Sequence, residues 1–119
     1  RFPGHNCPPS IIQRAVSRCL DVTSDLSVYE TNMDLLYNKL KALGFEVERP
    51  GGTFYLFPGI EKTGLDEKQF CKALLERAHI LVTPGTPFGV SGAGHFRIAC
   101  TVGIEHLKTA FDRMEKLSF

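Results

Sequence analysis

The chain has 119 residues, a formal net charge of +1, 43% apolar and 23% charged residues, an ordinary globular composition that argues against disorder. That length fits one domain able to bury roughly two-thirds of the surface exposed by its unfolded form. The near-neutral charge gives no footprint for nucleic acid or an anionic membrane as a partner. No apolar run nears the ~20 residues of a membrane helix, and the first residues lack a signal-peptide core, so a cytoplasmic location is expected.

Within a single domain spanning 1–119, residues 1–9 read as a lead-in ordered only by context. Residues 10–20, SIIQRAVSRCL, have a helical stripe of Ile11, Ile12, Ala15, Val16, Cys19 and Leu20. Ser10 and Gln13 are spaced for a capping box. A longer helix is predicted over 27–43, with Tyr29, Met33, Leu36, Tyr37, Leu40 and Leu43 on one face and Gly44 as its stop. The period then changes: FEVE alternates, Pro50-Gly51-Gly52 turns, and TFYLF is apolar on both faces. This pattern predicts a hairpin whose second strand is central and covered on both sides.

Residues 66–78 carry a strong helix signal, with Asp66 and Gln69 placed for a capping box and Leu65 and Phe70 for a hydrophobic staple. HILVTPG and HFRIACT read as strands on either side of a glycine-rich run. A last helix covers 104–117, with Leu107, Ala110, Phe111, Met114 and Leu117 inward and Asp112 and Lys116 as an i,i+4 pair. The order α-α-β-β-α-β-β-α predicts an α+β domain: a small mixed or antiparallel sheet with helices on one face.

The chemistry-bearing signals are few. Cys7, Cys19, Cys71 and Cys100 form no C-x-x-C pair; the last three sit at apolar positions and read as buried small hydrophobes. His5, His79 and His106 lack ligand company at metal-site spacing. No nucleophile motif is present.

The run TPGTPFGVSGAGHFRIAC, residues 83–100, holds Gly85, Gly89, Gly92 and Gly94. Its glycines approach the phosphate-loop spacing, but His95 and Phe96 replace the required lysine and hydroxyl residue. A dinucleotide fingerprint fails as well, because Arg97 stands where the third glycine belongs and a strand follows instead of a helix. Alternation puts Phe96, Ile98 and Cys100 on the core face and His95, Arg97 and Ala99 on the other. From the residues alone, Arg97 is either a solvated surface arginine or a clamp for a carboxylate or phosphate. His95 reads more simply as a hydrogen-bonding residue at the loop edge than as its helper.

The segments ERPGGTFYLFP (48–58), ILVTPGTPFGVSGAGHFRIAC (80–100) and EHLKTAFDRM (105–114) resemble the C-terminal part of class I/II, fold-type I pyridoxal-phosphate aminotransferases. The helices at 8–20 and 29–50 are similar to that family too, so the resemblance covers essentially residues 8–117. It implies that Arg97 binds the α-carboxylate of an amino-acid or 2-oxo-acid substrate. It also implies that Pro84, Gly85, Phe88 and Gly89 border the active-site cleft. Nothing in the sequence matches the family's cofactor lysine, its pyridine-nitrogen aspartate or its phosphate-binding residues. The resemblance therefore implies the small domain of a larger, homodimeric transaminase, with pyridoxal 5′-phosphate held by a large domain and not bound covalently to this chain. Residues 1–7 fit the pattern poorly and carry no assigned function. The alternative is a stand-alone module that binds a small carboxylate or docks onto another protein.

Overall fold

A computed structural model describes residues 8–117. Most of the lead-in, Cys7 included, lies outside the described residues. The first helix, α1 (Ser10–Val16), follows Pro8 and Pro9 and stops short of residue 20. Its capping box does not form: Pro9 is the N-cap, and the Gln13 side chain donates to the Pro8 carbonyl at 2.7 Å. None of its residues is buried, so it gains little from the tertiary packing that usually stabilises a short helix. Tight bonds from Arg18 N to Ala15 O and from Cys19 N to Val16 O close it.

Helix α2 (Ser27–Ala42) buries Asn32, Met33, Leu36 and Leu40. Tyr29, expected on that stripe, is exposed. Gly44 adopts φ +81°, the left-handed conformation that ends the helix with no side-chain clash. Lys62 donates to the Leu43 carbonyl beside it and lies 4.4 Å from the centre of the Phe45 ring.

Three short strands, β1 (Tyr55–Leu56), β2 (Thr83–Pro84) and β3 (Phe96–Ala99), form an antiparallel sheet in the order β1-β3-β2. The α+β class matches expectation, but two details differ. The FEVE segment contributes only an isolated bridge, Glu46 to Gly59, and Gly59 bridges in turn to His95. The TFYLF segment supplies an edge strand; β3 is central. Leu56 is buried and Tyr55 half-buried, whereas Phe54 and Phe57, one on each face, are 43% and 37% exposed, so neither face of this segment is covered along its length. Apolarity on both faces arises here from an aromatic surface rather than from two-sided burial.

Helix α3 (Glu67–Ala73) begins with the predicted capping box: Asp66 accepts from Lys68 N at 2.9 Å and Gln69 N at 2.8 Å, and Gln69 Oε1 accepts from Asp66 N. Its continuation, Leu74–Ala78, widens into a π-helical turn that stops at His79, φ +56°. Helix α4 (Ile104–Met114) buries Leu107, Phe111 and Met114. Among the described residues Asp112 and Lys116 form no ion pair; Glu115 reaches across to Lys39 of α2 at 2.9 Å instead. That hydrogen bond and the carboxylate's charge push the Lys39 pKa up.

The core closes around three rings. Phe45, Phe70 and Phe96 meet with centroid separations of 5.8, 5.9 and 4.9 Å, within the range of favourable aromatic pairs. Cys100 is buried and Cys71 half-buried, but Cys19 is exposed, because it lies past the end of α1, where none of the described residues covers it. Among the described residues no helix is long and apolar enough to cross a membrane.

Candidate functional site

The central strand decides what faces outward. Phe96 and Cys100 are fully buried on the inner side, so pleating turns Arg97 to the opposite face. Two rings receive it. The guanidinium carbon stands 4.3 Å from the centre of Tyr55, on the neighbouring strand, and 4.5 Å from that of Phe88, on the glycine-rich loop. Each such contact contributes on the order of 0.5–2 kcal/mol and stiffens the fork. Among the described residues the ion pairs are Lys39–Glu115, Arg49–Asp34, Lys72–Glu76 and Lys108–Glu105. Arg97 belongs to none of them. A half-buried guanidinium held by two π faces keeps its N–H edge for an incoming anion, and a carboxylate matches that edge bidentately.

The aromatic shelf continues outward. Phe57 meets Phe88 edge-on at 6.0 Å and stacks with His95 at 5.4 Å and 11°. His95 Nδ1 lies 2.9 Å from the Ala93 carbonyl, which is a local, loop-holding role. On the other side, Phe54 sits 4.6 Å from Tyr55, centroid to centroid. Phe54 also lines a cleft of about 680 Å³ between the start of α2 and the Arg49–Phe54 turn, together with Leu26, Tyr29 and Met33. Arg97 does not line this cleft; its own setting is an open shelf.

The glycine run answers to its own backbone. A Cβ added to Gly85 would stand 2.1 Å from the Gly92 carbonyl oxygen, and one on Gly92 equally close to that of Gly85. No side chain fits between them. Gly85 N donates to His95 O at 2.9 Å, which closes the loop neck. Between the neck residues run two 3₁₀ turns, Thr86–Phe88 and Val90–Gly92, joined at Gly89 with φ +121°. Pro84 pairs with Phe96 in the ladder. Thus Arg97 and Phe88 come together, while Pro84, Gly85 and Gly89 shape the loop that brings Phe88 to Arg97.

Four contributors were missed at the level of sequence. Tyr55 and Phe57 alternate with buried Leu56, and that spacing could have placed them on the Arg97 face. Glu67 accepts from the Thr86 hydroxyl and, at 3.3 Å, from Gly94 N; nothing local signals this. Asn32, buried on α2, donates to the carbonyls of Cys100 and Val102, each at 2.9 Å, and so anchors the exit of β3.

The family model for aminotransferase class I and II matches residues 7–114, and the chain belongs to that family. It is 37% identical to aromatic-amino-acid aminotransferase 2 of Thermococcus litoralis, over 98% of this chain and 32% of that relative. It is also 37% identical to an aspartate aminotransferase of Pyrococcus abyssi, over 93% of this chain and 30% of the relative. The chain therefore spans about a third of the length of these curated relatives. A solved aspartate aminotransferase from Thermotoga maritima superposes on 92% of this chain and 28% of its own, with TM-score 0.80 and 29% identity.

The family's cofactor, pyridoxal phosphate, needs a lysine for covalent attachment and donors for its phosphate. Around Arg97 stand Tyr55, Phe57, Phe88 and His95. Lys39, Lys62, Lys72 and Lys108 are engaged by Glu115, the Leu43 carbonyl, Glu76 and Glu105. None of the four neighbours of Arg97 is a lysine, and the Arg97 guanidinium has the chemistry to take a carboxylate.

Proposed function

We propose that the chain forms the small, C-terminal domain of a pyridoxal-phosphate-dependent aminotransferase, and that Arg97 binds the α-carboxylate of its amino-acid or 2-oxo-acid substrate. One observation carries the assignment: the Arg97 guanidinium is clamped between Tyr55 and Phe88 and has no carboxylate partner among the described residues. A rigid, bidentate clamp fixes the substrate's orientation, so that its amino group is presented to the reacting centre in one pose. The large domain of the same protein supplies the cofactor and its lysine, and the whole enzyme is a homodimer. Taken alone, the chain is not catalytic. Its outward Ile11, Ile12, Val16 and Leu20, each at least half exposed, support docking against a further apolar surface.

The test uses the full-length protein. Arg97→Ala is expected to lower kcat/KM about 100-fold across amino-acid substrates, the loss of one charge-assisted bidentate contact. The cofactor's absorbance stays unchanged. An unaltered kcat/KM refutes the assignment.

A further inference from the structure

We propose that Glu67 is a positioning residue for the Arg97 site, its carboxylate clamping both ends of the loop that carries Phe88 and leads into β3. This inference rests on the carboxylate-binding role of Arg97 and adds the device that holds that arginine's surroundings in place.

Glu67 opens α3, and its two oxygens serve two donors. Oε1 accepts from the hydroxyl of Thr86, at the start of the loop, and Oε2 accepts from the N–H of Gly94, at its end, at 3.3 Å. Thr86 shares a turn with Phe88, one of the two rings against Arg97. Gly94 leads through His95 into the strand that bears Arg97. The loop needs such a tether, because Gly89 and Gly94 both take left-handed or otherwise glycine-favoured φ values, +121° and +72°, and hold no conformation by themselves. Helix α3 provides a fixed reference for it. The Asp66 capping box sets its first turn, and Phe70 packs into the core 4.9 Å from Phe96, the residue before Arg97. A side chain with two polar atoms at its end, one of them an acceptor for the Gly94 N–H, is needed at this position to join Thr86 and Gly94 at once.

Steady-state kinetics of the full-length protein with an amino-acid substrate test this, with Arg97→Ala measured in parallel. Glu67→Ala is expected to raise KM about tenfold with kcat within about twofold, the signature of weakened binding without altered chemistry. Glu67→Gln is expected to restore a KM close to wild type. Its amide oxygen can accept from Gly94 N–H while its amide N–H donates to the Thr86 hydroxyl, which also accepts. Thr86→Val, at an exposed position, removes one arm without threatening the fold and is expected to raise KM about threefold, with little added effect in the Glu67→Ala background.

A wild-type KM in folded Glu67→Ala or in Thr86→Val, while Arg97→Ala raises it, overturns the role of Glu67 and leaves that of Arg97 standing. A lowered melting temperature with unchanged KM does the same, since it reports a structural role alone. If Glu67→Ala does not fold, Thr86→Val and Glu67→Gln decide. A Glu67→Gln KM as high as that of Glu67→Ala overturns the two-point hydrogen-bonded clamp. An unchanged kcat/KM in Arg97→Ala overturns both assignments together.

Discussion

Gly85 and Gly92 face each other across the neck of the loop, so closely that a Cβ on either would lie 2.1 Å from the other's carbonyl oxygen. The contact is backbone against backbone. Relief requires the two chains to part, which breaks the 2.9 Å bond from Gly85 N to His95 O. Gly85→Ala is therefore expected to destabilise by roughly 3 kcal/mol, at the upper end of overpacking effects. Gly51→Ala is the control, since a Cβ there meets nothing within 4 Å; its effect should stay within about 0.5 kcal/mol. Denaturant melts of both variants check the contrast, and equal midpoints would contradict it.

Asn32 is buried, with its amide nitrogen shared by the carbonyls of Cys100 and Val102. Truncation leaves two carbonyls without their donor, that of Cys100 buried and that of Val102 partly so. Asn32→Ala is expected to lower stability by roughly 3 kcal/mol, counting unsatisfied groups at about 1–3 kcal/mol each. Asn32→Asp should be worse at neutral pH, because a carboxylate then faces two carbonyls, and should improve as acid protonates it. Thermal melts across pH distinguish the two variants.

Burial, and secondarily the charge of Glu67, pushes the Cys71 thiol up to about 11. Burial also raises Cys100. The thiolate is the reactive form, so at pH 8 iodoacetamide should label exposed Cys19 readily and Cys71 slowly, with the Cys71 rate climbing toward pH 11. Peptide mass spectrometry reads each site. The sign for stability follows from linkage: a folded thiol that holds its proton more tightly than the unfolded one contributes stability that is complete at neutral pH. That contribution is lost as the pH rises through about 11. Glu67→Gln should accelerate Cys71 labelling by removing the second cause.

Much of this protein is written locally. The capping box at Asp66 and Gln69, the stop at Gly44 and the inward stripe of α4 formed as their spacing required, because each depends on neighbours within one or two helical turns. Alternation along HFRIAC likewise put Arg97 opposite Phe96. Family membership rests on the ordered segments around residues 48–58, 80–100 and 105–114, and the family model spans them.

What the sequence could not express are relations between distant segments. Period-two alternation placed Arg97 on a face, but two facts settle what that face is: β3 lies between β1 and β2, and Tyr55 and Phe88 flank the guanidinium. Apolar residues at 54–57 read as a covered central strand, yet burial depends on what packs above them, and Phe54 and Phe57 remain exposed. Cys19 followed a helical stripe that meets no partner among the described residues. The glycine spacing matched neither phosphate-binding pattern, and the close approach of Gly92 to Gly85 that the folded chain shows is not visible in it. Local sequence determines turns, caps and faces, because those forces act over a few residues. Contacts such as Glu67 to Gly94 exist only once the core around Phe45, Phe70 and Phe96 has drawn their segments together.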